Sequence, residues 1–190
     1  MCGDLSTWND LWKKIWNVWV ESRIRPWGGS SGLIIPSSIN AVQGPVLIHK
    51  EKSTLLVLFL NAPLGEFLEF IKGKLEEALE DMGPIGEVVD EREEKALINI
   101  LFVAKALKQR SSDDFKDIVG DPDDIRGIFS GISEEIFAYL ELLSRSKKIV
   151  EREYHWERLK ETVKFAIKSV SYTHLRAHET EADIVCRLLL

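Results

Sequence analysis

The sequence predicts an α+β fold, in which a small antiparallel sheet packs against long amphipathic helices and a helical region follows. Short apolar runs separated by turn-forming residues, between positions 33 and 60, predict strands. Longer segments with apolar residues at every third or fourth position predict helices on both sides of these strands. The length of 190 residues suits one domain or two small ones. We expect an α+β domain over residues 1–110 and a helical region over 111–169, with a boundary near Ser111–Asp114.

A tryptophan-rich helix is predicted at the start of the chain, from Leu5 to Ile24. Its tryptophans are spaced by four, four and three residues, which places them along one side of a helix. Four exposed indoles would favour aggregation, so they must be covered by the protein's own sheet, by a partner or second copy, or by a membrane interface. The membrane is disfavoured because few basic residues accompany them. The candidate interaction residues are Trp8, Trp12, Trp16 and Trp19, and we expect Trp8 or Trp12 to be partly exposed.

Three strands are predicted next, at Leu33–Ile35, Pro45–His49 and Thr54–Leu60. The polar segment Lys50–Ser53 separates the last two and predicts a hairpin. The run Leu55–Leu60 is apolar without alternation, which is typical of a central strand that is covered on both faces.

Two well-marked helices follow the strands. Leu64–Met82 carries an apolar stripe on one face and glutamates on the other, and Gly83–Pro84 ends it. Asp90–Arg110 is apolar nearly all round between Ala96 and Leu107, so we expect it to be the most buried helix.

Residues 121–153 resemble the helix-turn-helix core of winged-helix domains. Asp121 and Pro122 suit a helix start, Gly131 suits the turn, and Ser133 suits the cap of a second helix. Residues 147–152 are then similar to the first strand of a wing. The resemblance implies that the second helix could enter a DNA groove. The DNA contacts would be Ser133, Arg145, Lys147 and Lys148.

Electrostatics disfavour this DNA-binding alternative. Glu134 and Glu135 occupy the first turn of the proposed recognition helix and would repel phosphate. The net charge of the whole chain is −6, whereas nucleic-acid binding needs clustered basic residues. A helical hairpin used for packing or for protein contacts remains the other interpretation of the segment.

Residues 5–82 resemble part of a roadblock or longin domain, and the run Ser53–Gly65, which leads into a long helix, carries the likeness. These are small α+β scaffolds, often dimeric, that bind GTPases and trafficking or motility partners. The first two strands of that family are not found upstream of Leu5, which departs from the family pattern.

Residues 170–190 resemble the translation of a transposase-type sequencing-library adapter. The string Val170–Thr180 matches that translation residue for residue, and Ile184–Leu190 matches its primer region with one difference. We therefore expect this tail to be non-native and the native C-terminus to be missing. Without the tail, the chain loses the pair His174 and His178, whose spacing imitates a zinc site.

No cofactor or metal site is predicted. The remaining Cys2, His49 and His155 are too few and too scattered for a metal site or a disulfide framework, and one cysteine suits a reducing cytoplasm. The acidic residues at 121, 123 and 124 lack the spacing of a calcium loop. The glycine-rich run 28–32 precedes a strand rather than a helix, so it does not suit a phosphate.

The sequence thus favours a non-catalytic cytoplasmic interaction or regulatory protein, with a protein partner or a second copy. A winged-helix DNA-binding regulator is the alternative, and an enzyme without a recognisable motif is the third possibility.

Overall fold

The computed structural model describes residues 8–16, 19–23, 45–51, 54–60, 62–86, 88–111 and 122–188. The described part contains three strands and five helices, in the order helix, three strands, four helices. They are α1 (Trp8–Ile15), β1 (Trp19–Arg23), β2 (Pro45–Glu51), β3 (Thr54–Phe59), α2 (Leu64–Asp81), α3 (Glu91–Arg110), α4 (Pro122–Arg145) and α5 (Ile149–Leu188). The α+β class and the small antiparallel sheet are confirmed.

Helices α2 to α5 form a four-helix bundle in which each helix packs against the next and α5 closes the ring against α2. Contacts along the bundle show that neighbouring helices are antiparallel. Lys95 of α3 pairs with Asp81 of α2 at 2.9 Å, and the Thr162 hydroxyl of α5 donates to Glu135 of α4 at 3.1 Å. Only residues 146–148 connect α4 to α5, and such short connections join antiparallel neighbours.

The two best-marked helices lie where the sequence predicts them. On α2, the predicted apolar stripe is the buried face, and Phe67, Leu68 and Ile71 are inaccessible to solvent or nearly so. Helix α3 is buried on all sides between Ala96 and Leu107, because it packs against α2, α4 and α1. Apolar periodicity therefore predicted both the position and the burial of these two helices.

The sheet has the order β1-β2-β3, with β2 in the centre. The predicted hairpin is confirmed, because β2 and β3 pair antiparallel from Val46 opposite Phe59 to Glu51 opposite Thr54. In the described sheet, Leu55–Leu60 is not the central strand that the sequence predicts. Strand β3 pairs only with β2 in the described sheet, and its residues 57–59 are half-buried. A continuous apolar run indicates burial, but it does not specify how many strands lie alongside.

The N-terminal helix is shorter than the sequence predicts. It ends at Ile15, Trp16 lies in a turn, and Trp19 begins β1 opposite His49 of β2. A spacing of three residues between Trp16 and Trp19 suits a helix, but tryptophan and valine at positions 19 and 20 also favour a strand. The strand pairing decides the conformation here, since it gives these residues backbone partners in β2.

The predicted turn at Gly131 is not formed, and the helix-turn-helix arrangement is not observed. Helix α4 runs without a break from Pro122 to Arg145, and Ile149 and Val150 begin α5 instead of a strand. The buried residues of α4 continue in one stripe through the predicted turn, and the Ser130 hydroxyl donates to Glu134 across it at 2.9 Å. The buried stripe is Ile125, Phe129, Ile132, Ile136, Leu140 and Leu143.

Several predicted features lie outside the described residues: the strand at 33–35, the glycine-rich run at 28–32 and the acidic residue at 121. The predicted domain boundary near Ser111–Asp114 also falls there beyond Ser111. Buried residues on both sides of that boundary belong to one hydrophobic core, which extends from α1 through α5 to Val170.

The start of α3 carries a buried carboxylate with a defined effect on stability. Asp90 caps the helix, and Glu93 accepts the backbone N–H of Asp90 at 3.0 Å, which completes a capping box. Burial raises the pKa of Glu93 above its ordinary value of 4.5, against the opposing effect of the hydrogen bonds from the backbone of Asp90 and Gly86. The folded protein therefore holds this proton more tightly than the unfolded chain does.

We predict that Glu93→Gln changes the pH dependence of stability. Because its pKa is raised, protonated Glu93 stabilises the folded state. This contribution to stability is fully present below pH 4.5 and is lost as the pH rises through the raised pKa. Relative to the unmodified protein, the variant should gain stability between pH 4.5 and neutral pH. Urea unfolding across this range measures the difference, and Glu91→Gln, at an exposed site in the same turn, is the control. A difference that stays constant with pH would contradict the expectation.

Candidate interaction surface

The tryptophans of α1 are part of the protein's own core. Trp8 is 4% exposed and Trp12 is 5% exposed, so the expectation that one of them is partly exposed is wrong. Helix α1 packs against α3 and α4, which together supply the cover that the sequence alone could not assign. Leu11 and Ile15 complete its buried face.

Aromatic ring contacts run along α1 and connect it to α4. The indoles of Trp8, Trp12 and Trp16 follow one another with centroids 6.2 Å apart, and Trp16 stacks on Phe137 of α4 at 6.5 Å. At the other end, the Trp8 indole N–H donates to the Gly86 carbonyl at 3.3 Å. Tryptophan suits this position because its ring is buried while its N–H finds a backbone acceptor. The side chain of Trp19 lies outside the described residues.

The four DNA-contact candidates do not form a binding surface of the predicted kind. Ser133 is 1% exposed, and its hydroxyl donates to the Ala104 carbonyl of α3 at 2.8 Å, so it cannot cap a recognition helix or reach DNA. The reason is that α4 is continuous and turns this residue towards α3. Arg145 is hydrogen-bonded to Glu141 of its own helix, while Lys147 and Lys148 are exposed in the connection to α5.

The most distinctive exposed feature is a stripe of side chains on the outer face of α5. We call this set of residues the outer stripe: each of them is exposed, and they are spaced by three and four residues in alternation, which keeps them on one face of the helix. It lies on the opposite side of α5 from the buried residues Trp156, Leu159 and Val163. The outer stripe consists of Glu151, Tyr154, Arg158, Glu161, Phe165 and Lys168.

The outer stripe combines exposed aromatic rings with charges. Tyr154 is 62% exposed and Phe165 is 57% exposed, and Val150, which is 69% exposed, lies beside the stripe. Large apolar side chains scattered singly over a surface are ordinary, but α5 has five of them, with Tyr172 and Leu175 at 65% and 64% exposure, and such a row on one helix is a feature of docking sites. Sequence analysis missed this surface because charged residues separate the rings and because residues 149–150 were predicted to be a strand.

The charged residues of the outer stripe have partners within the molecule. A hydrogen bond from the guanidinium of Arg158 to Tyr139 of α4 raises the pKa of Arg158 above its ordinary value. A hydrogen bond from Lys164, at 2.7 Å, lowers the pKa of Glu161. These contacts hold the two charges at the surface, on the same face as the rings.

The described residues include no candidate metal site. They contain no group of three or more His, Cys, Asp or Glu side chains that could hold a metal ion. Among the helices of the described part, none is long and apolar enough to cross a membrane.

Comparisons of the chain with protein families, with curated proteins and with solved structures find no match.

Proposed function

We propose that this chain is a non-catalytic interaction protein, which presents the outer stripe of α5 to a protein partner. The observation that carries the proposal is the exposure of Tyr154 and Phe165, each more than half accessible, on one face of α5. Full burial of a large apolar side chain contributes roughly 1.5–3 kcal/mol, and rings that stay in water do not gain this energy. A partner helix that lies along α5 would recover part of this energy, as helix-in-groove recognition does elsewhere.

The rest of the molecule fits a scaffold role. Helix α1 and the four-helix bundle bury a common core, which on α5 extends from Trp156 to Val170 behind the exposed face. The proposal keeps the likeness of residues 5–82 to roadblock or longin scaffolds, and the order α1, three strands, α2 is compatible with it. The protein partner and the cytoplasmic location are part of the same proposal.

Photo-crosslinking tests the proposed interaction surface. A photoreactive phenylalanine analogue replaces Phe165 or Tyr154 in cells that express the full chain, and mass spectrometry identifies any adduct. We expect a discrete protein adduct from both positions. The same analogue at Glu66, which is exposed on α2, is the matched control and should give none. Absence of any adduct from both α5 positions would contradict the proposal.

We further propose that residues 170–190 are not native, on the residue-for-residue likeness of Val170–Thr180 to adapter sequence. Two members of this segment are nevertheless buried in the structure: Val170, which is inaccessible, and Thr173, at 4% exposure. The first residues of this segment therefore pack against the rest of the chain. Sequencing the native gene across codons 165–175 tests the origin of the tail directly.

We predict different effects for two truncations of the tail. A chain that ends at Thr173 should keep the thermal midpoint of the full chain. A chain that ends at Ser169 should lose roughly 1.5–3 kcal/mol, since it removes the buried Val170 side chain. Thermal unfolding compares the three chains. A large loss from the first truncation would mean that residues beyond 173 contribute to the fold.

A further inference from the structure

We propose that the partner of the outer stripe is a second copy of this chain, whose α5 lies antiparallel to the first along the same face. The inference rests on the proposed function and names its partner. It follows from the order of charges and rings along α5. When two copies of this helix run in opposite directions, rings lie opposite rings and positive charges lie opposite negative charges.

Opposite charges stand at mirror positions of the outer stripe, with Glu151 and Arg158 before its midpoint and Glu161 and Lys168 after it. Exposed glutamates are found at 151, 153, 157 and 161, and the exposed Arg158 lies among them. Lysines 164 and 168 follow and are also exposed. Two copies that run in opposite directions therefore place each charge of the outer stripe against an opposite charge of the other copy.

One antiparallel register matches every position of the outer stripe. With the two-fold axis between residues 159 and 160, Tyr154 of one copy lies opposite Phe165 of the second copy. In the same register, Arg158 lies opposite Glu161, and Glu151 lies opposite Lys168. In an antiparallel coiled coil each a position faces a d position, which is the relation that these pairs have. Two-fold symmetry repeats each pair, so the contact contains two ring pairs and four ion pairs.

The flanking positions agree with this register. Glu157 and Lys164 border the outer stripe on the same side and come together across the axis. A parallel pair would instead set Arg158 against Arg158, Glu161 against Glu161 and Lys168 against Lys168 of the other copy. Like charges directly opposite destabilise such a contact.

The existing bonds of the face are compatible with pairing. Arg158 keeps a guanidinium with five donors, of which Tyr139 uses part, and Glu161 keeps a second carboxylate oxygen beside the one that Lys164 contacts. The register uses only residues 151–168. It is therefore independent of the origin of residues 170–190.

Analytical ultracentrifugation of the full chain tests the second-copy proposal. The contact of two helices about 30 Å long is small for a stable interface, so dimerisation should be seen between about 1 and about 100 µM. We expect the weight-average mass to rise from 21.7 kDa towards twice this value across that range.

Charge reversal tests the register. Arg158→Glu and Glu161→Lys each place like charges opposite each other twice, so each should weaken self-association at least about tenfold. An equimolar mixture of the two variants restores both ion pairs and should form dimers as tightly as the unmodified chain. Lys72→Glu and Glu76→Lys reverse an exposed pair on α2 and are the matched controls, which should dimerise normally. Far-ultraviolet circular dichroism checks that each variant is folded.

The outcomes separate this inference from the proposed function. A chain that stays monomeric at all concentrations overturns the second-copy inference, and a crosslink from Phe165 to a different protein would then leave the proposed function standing. Dimers that the single reversals do not weaken, or that their mixture does not restore, overturn the register and the face. Absence of both self-association and crosslinks overturns both proposals.

Discussion

Replacing Trp156 with alanine should lower the free energy of unfolding by about 3–5 kcal/mol, the range for truncating a buried tryptophan. Trp156 is inaccessible to solvent, and its indole N–H donates to the Gly83 carbonyl at 2.9 Å. This bond ties α5 to the end of α2, where the ring of four helices closes. The substitution therefore opens a cavity and leaves a backbone carbonyl without its donor.

Urea unfolding measures this effect, and two further variants make it specific. Trp156→Phe keeps much of the ring volume but loses the N–H, so its cost should be smaller than that of the alanine variant. Tyr154→Ala, two residues away on the exposed face, should change stability by less than about 0.5 kcal/mol in a dilute sample. Equal effects at positions 154 and 156 would contradict the assignment of the buried and outer faces of α5.

Replacing Ile132 with aspartate should prevent stable folding or cost several kcal/mol, because it places an unpaired charge in a buried site. Ile132 is 2% exposed in the middle of α4, within the stripe that packs on α3 and α5. Thermal unfolding and circular dichroism measure the loss. A variant with the stability of the unmodified chain would contradict the packing of α4.

The neighbouring glycine distinguishes a continuous helix from a helical turn. A Cβ built on Gly131 meets no atom within 4 Å, and the residue is exposed. In a continuous helix, Gly131→Ala should stabilise the protein by roughly 0.5–1 kcal/mol, since alanine loses less backbone entropy. If the chain had a turn here that depends on glycine, the same substitution would destabilise the protein. The sign of the change in stability therefore distinguishes a continuous α4 from two helices joined by a turn.

Apolar periodicity predicted the parts of the fold that local sequence determines. Helices α2 and α3 were predicted within one residue of their observed bounds, because their stripes are long and uninterrupted. The hairpin of β2 and β3 was predicted for a similar reason, from two apolar runs joined by a polar connection. In these cases local propensity and tertiary packing agree.

The parts that sequence did not predict depend on contacts between distant segments. Gly131 and Ser133 have the residue types of a turn and a cap, yet packing against α3 keeps α4 straight through both. The cover over Trp8 and Trp12 comes from α3 and α4, more than eighty positions away in the chain. Tertiary packing overrides such local signals.

The candidate surface was missed for a related reason. Tyr154 and Phe165 are eleven residues apart, with charged residues between them, so no apolar run marks the outer stripe in the sequence. The face becomes recognisable only when the opposite side of α5 is known to be buried.

Side-chain footprinting with hydroxyl radicals, over a series of protein concentrations, tests the central claim most directly. The claim is that the indoles of α1 belong to the core while the rings of α5 form the surface that meets a partner. We predict that Trp8 and Trp12 are protected at every concentration, and that Tyr154 and Phe165 react in dilute solution and become protected as the protein associates. Reactive tryptophans in α1, together with unchanging reactivity on α5, would contradict it.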